Sequence, residues 1–147
     1  MIHAMNHSLC LTTSSPEETL SVAEDIGRKA RPGDIIALYG DLGSGKTVMA
    51  KGIALGLDIT DNVTSPTFTL MEVYRGRHTL YHFDLYRINS PGEFENLFFE
   101  EYWEGDGISV IEWPEKAESL LPKKRIDILI EYIDENRRKI TIEYTGD

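Results

Sequence analysis

Short apolar runs alternate along the chain with segments whose apolar residues recur every three to four positions, a pattern that predicts strands alternating with helices. Ser8–Thr13 is β-prone and is closed by Ser14-Ser15-Pro16, so it reads as a first strand. Ser15-Pro16-Glu17-Glu18 then forms a capping box: a Ser N-cap, Pro at the first helical position and a Glu whose carboxylate can reach back to the free amides. The helix that follows gains one apolar face from Leu20, Ala23, Ile26 and Ala30, and Arg31-Pro32-Gly33 stops it. Ile35–Tyr39 is a compact apolar run of the kind buried in a parallel sheet. Good helix formers return from Lys46 to about Leu55, interrupted by Gly52, and Gly56 is placed to end that helix.

In the second half, Phe68–Tyr74 and His78–Phe83 are β-like and flank Arg75-Gly76-Arg77, a polar connector suited to a hairpin. Ser90-Pro91-Gly92-Glu93 repeats the capping box and predicts a short helix. Ile108–Ile111 reads as another buried strand, and Pro114 opens a short helix that Pro122 closes. Strict alternation then sets in. Ile126, Ile128, Ile130 and Tyr132 share one face, Ile140, Ile142 and Tyr144 share another, and a polar turn joins these two halves of a terminal antiparallel pair. No repeat, low-complexity tract or long linker divides the chain, so one α/β domain over residues 1–147 is expected.

Composition narrows the function. With 147 residues and 41% hydrophobic content the chain can bury an ordinary core without disulfides. The single Cys10 cannot form an intrachain bridge and reads as an inert thiol. The N-terminal Met-Ile-His-Ala-Met-Asn-His carries no apolar signal core, and the longest apolar stretches fall far short of the roughly 20 residues a bilayer span needs, so a cytoplasmic location with no membrane partner is expected. A net charge of −10 argues against a dominant direct grip on nucleic acid, whose phosphates are neutralised by Lys and Arg. The same acidity suits either plain solubility or docking to a basic partner.

Between the second strand and its helix lies Gly40-Asp41-Leu42-Gly43-Ser44-Gly45-Lys46-Thr47, a complete Gly-x4-Gly-Lys-Ser/Thr phosphate loop. Such a match arises by accident in roughly one chain of this size in a couple of hundred, and its position between strand and helix makes accident rarer. Gly40, Gly43 and Gly45 let consecutive N–H groups, with those of Ser44 and Val48, converge on phosphate oxygens, where the helix N-terminus adds about half a positive charge. Lys46 reaches the β and γ phosphates as a mobile charge, and Thr47 places its hydroxyl on Mg²⁺.

Such a site also needs an acid at a neighbouring strand end. Asp84 follows Leu80-Tyr81-His82-Phe83, and Glu112 follows the more apolar Ile108-Ser109-Val110-Ile111, which makes Glu112 the better magnesium-shell acid; either can instead serve as a cap. Thr64-Ser65-Pro66-Thr67 lies where a switch segment or an ordinary Pro turn would fit. His82 reads as a packed strand residue, since no second His or Cys stands at ligand spacing. Trp113 stands next to Glu112, suited to stacking on a partner or covering the core. The Asn-Lys-x-Asp guanine signature is absent, which favours adenine and hence ATP with Mg²⁺.

The phosphate loop, Ser65-Pro66-Thr67-Phe68-Thr69-Leu70, Tyr81-His82-Phe83-Asp84-Leu85-Tyr86-Arg87 and Ile111-Glu112-Trp113-Pro114-Glu115, in this order and spacing, resemble the bacterial TsaE (YjeE-type) P-loop ATPases that support threonylcarbamoyladenosine formation on tRNA. The resemblance spans Gly40 to Glu115. It implies a P-loop NTPase fold, with a mainly parallel sheet flanked by helices and a C-terminal antiparallel pair. It also implies a magnesium-dependent ATPase, weak alone, that docks on the TsaB–TsaD pair, so that tRNA modified at adenosine 37 is reached only through partners. Residue by residue, Lys46 would bind phosphates, Thr47 and Glu112 would ligate magnesium, Asp84 would act near the γ phosphate or its water, and Thr67 would belong to the switch. The family's hairpin Arg near the adenine would be Arg137 rather than Arg138, although either spacing fits. Val48 stands where the family often has a second Thr, and Asn136 where it often has Gly. The alternatives are a small-molecule P-loop kinase, for which no Arg-rich lid is evident, and a nucleotide-switched binding module in which hydrolysis is incidental.

Overall fold

The computed structural model describes residues 8–41, 43–64, 66, 69–90, 92–93, 100–103 and 105–146. Its frame is a seven-stranded sheet in the order β1-β7-β6-β2-β5-β4-β3. The strands are β1 (Ser8–Thr13), β2 (Ile35–Tyr39), β3 (Met71–Arg75), β4 (Thr79–Asp84), β5 (Ile108–Glu112), β6 (Arg125–Tyr132) and β7 (Arg138–Thr145). The central four, β6-β2-β5-β4, are parallel, while β1, β7 and β3 join antiparallel at the two sides. The expected mixed α/β architecture is therefore the one found, with antiparallel pairing at both edges rather than only in the last pair.

Period-2 alternation sorts the strand residues between two cores. Ile36, Leu38, Leu80, Ile108, Val110, Ile128, Ile130, Ile140 and Ile142 face α1 (Pro16–Lys29) and α2 (Lys46–Gly56), which contribute Ala23, Met49, Ala50 and Ile53. Ile35, Phe83 and Ile111 face the other way, onto Trp103 of the short α3 (Glu100–Trp103) and onto Ala117 and Leu121. Each fully buried Ile, Leu or Phe contributes about 1.5–3 kcal/mol through apolar burial.

The first capping box forms as the sequence requires: the Glu18 amide donates to Ser15 Oγ at 3.1 Å, and the Ser14 amide donates to Glu18 Oε1 at 2.6 Å. The second forms too, with the Glu93 amide on Ser90 Oγ at 3.3 Å and the Asn89 amide on Glu93 Oε1 at 2.8 Å; residues 94–99, over which the expected short helix would run, lie outside the described residues. α1 and α2 cross closely because glycines line the contact. A Cβ at Gly56 would press on the Glu24 carbonyl, and one at Gly27 on the Ile53 carbonyl. Arg77, in the β3–β4 turn, ties the same crossing from outside, donating through Nη2 to Gly56 O at 2.9 Å and to Gly27 O and Arg28 O at 3.4 Å each.

Two element boundaries differ from expectation. β3 begins at Met71 because Leu70 takes a left-handed φ of 67°, with its amide bonded back to Pro66 O at 2.8 Å; Phe68, the expected first residue, lies outside the described residues. The expected helix between Pro114 and Pro122 is two separate 3-10 turns, Pro114–Lys116 and Glu118–Leu120, because Ala117 between them leaves the helical region, at φ −142° and ψ 28°. Among the described residues no helix is long and apolar enough to cross a membrane.

Candidate functional site

The parallel strands all point their C-terminal ends the same way, and the loop after β2 opens there, between β6 and β5. This is the place where an α/β sheet leaves a crevice for ligands. Gly45 is the N-cap of α2 at φ 113°, a backbone setting that a side chain would strain, and its carbonyl accepts the Met49 amide at 2.9 Å to start the helix. Upstream, the Ser44 amide donates to Asp41 O at 3.0 Å, and Gly40 lies so near β6 that a Cβ there would come within 2.7 Å of Ile130 O.

The two helix N-termini contrast. α1 is closed by Ser15 and carries Glu17 and Glu18 in its first turn, whereas α2 has neither a side-chain cap nor an acid in its first turn. The partial positive charge of α2 is therefore offered outward, to an anion from elsewhere. Ser44 Oγ, buried at the same point, has no hydrogen-bond partner among the described residues. A glycine-built cradle, an uncapped helix start and an unsatisfied buried hydroxyl fit a bound polyphosphate.

Lys46 is only 5% exposed. Its Nζ donates to Gly40 O at 2.6 Å and sits 3.1 Å from the centroid of the Trp113 ring, a cation–π contact. Burial holds the ammonium below the ordinary lysine range, against the opposing pull of Glu115, Glu112, Asp84 and Asp41. Trp113 reaches this position through a left-handed φ of 58° directly after β5, and its ring also packs on Tyr86 with centroids 5.0 Å apart.

Asp84 and Glu112 are register partners at the ends of β4 and β5, both buried and both on the α2 side of the sheet. Asp84 Oδ1 accepts the Tyr86 amide at 3.0 Å. Glu112 Oε1 accepts from Thr47 Oγ1 at 3.4 Å, and Oε2 lies 2.7 Å from His82 Nε2. Thr47 and Glu112 thus present adjacent hard oxygens beside the phosphate cradle, a donor set that suits Mg²⁺, which is commonly held by one or two protein oxygens together with phosphates. A cleft of about 530 Å³ joins Gly43, Lys46, Thr47, Asp84, Glu112 and Arg138.

Sequence reasoning thus named Gly40, Gly43, Ser44, Gly45, Lys46, Thr47, Val48, Asp84 and Glu112, and the structure brings all nine to one end of the sheet. Thr67, assigned to the switch, lies outside the described residues. Arg137 does not reach the loop: its Nε pairs with Asp134 Oδ2 at 2.8 Å within the hairpin turn. Arg138 reaches it instead, donating from Nε to Ser44 O at 2.8 Å and stacking on Tyr132 at 4.7 Å. Alternation decides between the two, because Arg138 shares the α2-facing side of β7 with buried Ile140 and Ile142. The same period carried a signal for His82, two residues before Asp84 and on its face, and there the bond to Glu112 adds what the sequence reading of a merely packed residue missed. A smaller cleft continues from the loop between Pro16, Thr19, Val48, Asn136 and Arg138.

The chain is similar over most of its length to proteins of one family. Residues 13–140 match the family model of threonylcarbamoyl adenosine biosynthesis protein TsaE. The chain is 43% identical over 135 residues to a Bacillus subtilis tRNA threonylcarbamoyladenosine biosynthesis protein TsaE, covering 91% of this chain and 84% of that one. It is 41% identical over 133 residues to the Treponema pallidum protein of the same name, covering 90% and 98%. The crystal structure of Bacillus subtilis YdiB superposes with a TM-score of 0.84 at 38% identity, over 97% of this chain and 88% of that one. With this match running from the last residue of β1 into β7 and enclosing the whole phosphate-loop site, the chain belongs to the TsaE family.

Proposed function

We propose that this protein is a magnesium-dependent ATPase of the tRNA threonylcarbamoyladenosine system, slow alone and stimulated by the TsaB–TsaD pair, with tRNA reached only through those partners in the cytoplasm. The observation that carries the reading is the convergence of Lys46, Thr47, Asp84 and Glu112 on one cleft at the carboxyl ends of β2, β4 and β5. The names of the TsaE relatives supply the biological system. The net charge of −10 supports an indirect rather than direct relation to tRNA.

The residues divide the work. The amides of Gly43 and of Gly45 to Val48, the Ser44 hydroxyl and the start of α2 bind the phosphate chain, and Lys46 leaves the Trp113 ring to follow its β and γ groups. Thr47 and Glu112 would hold magnesium, which would supply positive charge to offset that developing on the phosphate oxygens. Asp84, beside them in register, orients water near the γ phosphate. The cleft lined by Pro16, Thr19, Val48, Asn136 and Arg138 takes the adenine end, and Thr67 belongs to the segment that responds to the γ phosphate.

The test is ATP hydrolysis by the purified chain with and without TsaB and TsaD from the same source, with Lys46→Ala as control. Charge-assisted hydrogen bonds contribute about 1.5–3 kcal/mol, so Lys46→Ala weakens ATP binding by roughly tenfold or more and abolishes stimulation. Tight ATP binding with no stimulation by the partners would overturn the reading.

A further inference from the structure

The buried imidazole of His82 faces the α2 side of β4, on the same face as Leu80 and Asp84, and is fully shielded from solvent. An aliphatic residue would fill such a position without desolvation cost, since a buried polar group is unfavourable unless it is bonded. Its Nε2 lies 2.7 Å from Glu112 Oε2, while Nδ1 has no partner among the described residues. A carboxylate oxygen accepts only, so in this contact Nε2 carries the hydrogen and donates it.

Glu112 is thereby held at both oxygens, by His82 on Oε2 and by the Thr47 hydroxyl on Oε1. We propose that His82 is a positioning residue for Glu112: by donating from Nε2 to Oε2 it fixes the carboxylate so that Oε1 stands beside Thr47, where the two residues would hold magnesium. The proposal rests on the assignment of Glu112 to magnesium made above. Hydrogen-bonding partners that orient a metal ligand typically change metal affinity or activity by about 10–100-fold when removed.

The experiment compares the wild type with His82→Phe, His82→Gln, Glu112→Gln and the His82→Phe/Glu112→Gln double variant in the partner-stimulated hydrolysis assay. It also measures the Mg²⁺ concentration at half-maximal rate and the ATP dissociation constant in EDTA. His82→Phe should raise the Mg²⁺ requirement and lower kcat by about 10–100-fold while leaving ATP affinity in EDTA unchanged. His82→Gln, whose amide nitrogen can stand where Nε2 stood, should retain most of the wild-type behaviour. His82→Phe should add little in the Glu112→Gln background. In the unaltered protein, ¹⁵N spectra of the imidazole should show a hydrogen on Nε2. A wild-type Mg²⁺ requirement in His82→Phe, equal damage in the Gln and Phe variants, or the opposite tautomer would each overturn the proposal. Full activity in Glu112→Gln would instead overturn the magnesium assignment on which it stands.

Discussion

Arg137 and Arg138 are adjacent in sequence, yet their guanidinium groups serve different neighbours. Arg138 binds the Ser44 carbonyl of the phosphate loop and the Asp134 carbonyl of the hairpin, at 2.8 and 2.6 Å, and so spans the two. Arg138→Ala should weaken ATP binding by about tenfold in calorimetry, the scale of one hydrogen bond from a charged group, whereas Arg137→Ala should leave affinity near the wild-type value. Arg137 acts within its own turn. Its hydrogen bond to Asp134, with help from the Asn136 amide, holds the Asp134 carboxyl below the ordinary value of 3.8. A depressed carboxylate contributes stability that is present above its unfolded pKa and is lost as pH falls toward the folded one. Thermal melts of the wild type and Asp134→Asn should therefore differ slightly at neutral pH and draw together progressively below about pH 3.8.

At the scale of elements, the crossing of α1 and α2 holds the phosphate loop against the sheet, because α2 begins in the loop itself. Gly56→Ala would push a methyl into the Glu24 carbonyl and force the helices apart. Overpacking of this kind costs about 1–3 kcal/mol, so the melting temperature should fall by several degrees, and an unchanged melt would show that the crossing is not so tight. The start of α1 was legible in the sequence, since its capping box forms with the bonds its residues predict. The glycine-lined contact was not. Gly52 and Gly56 read singly as a weak helix residue and a C-cap, and only the spatial meeting of two helices gives them, with Gly27, a shared purpose. Leu70 is another limit of the same kind: a left-handed Leu is not announced by its residue type, so the strand after it was expected too early.

For the whole molecule, the α/β class and the phosphate loop could be read because both depend on local pattern and spacing. The partnership of Asp84 with Glu112 was foreshadowed only as two acids at two strand ends; their adjacency depends on β4 and β5 being neighbours, a long-range fact. The order β1-β7-β6-β2-β5-β4-β3 likewise follows from packing between segments far apart in sequence. That order has a bearing on how the chain comes off the ribosome. β2 carries the loop, yet one of its flanks is closed only by β6, and Arg138 arrives only with β7. About 85 residues of synthesis, from about 40 to 125, separate the making of the loop from the making of its second wall. Until then β2 presents an open edge, the exposure that makes late-closing sheets aggregation-prone and slow. Translation intermediates arrested before Arg125 should accordingly fail to retain an ATP analogue on a pull-down, while chains extended past β7 should retain it. Nucleotide competence would then be acquired near the close of translation, and free ATP in the cell would act on the newborn protein as a late-binding folding ligand rather than an early one.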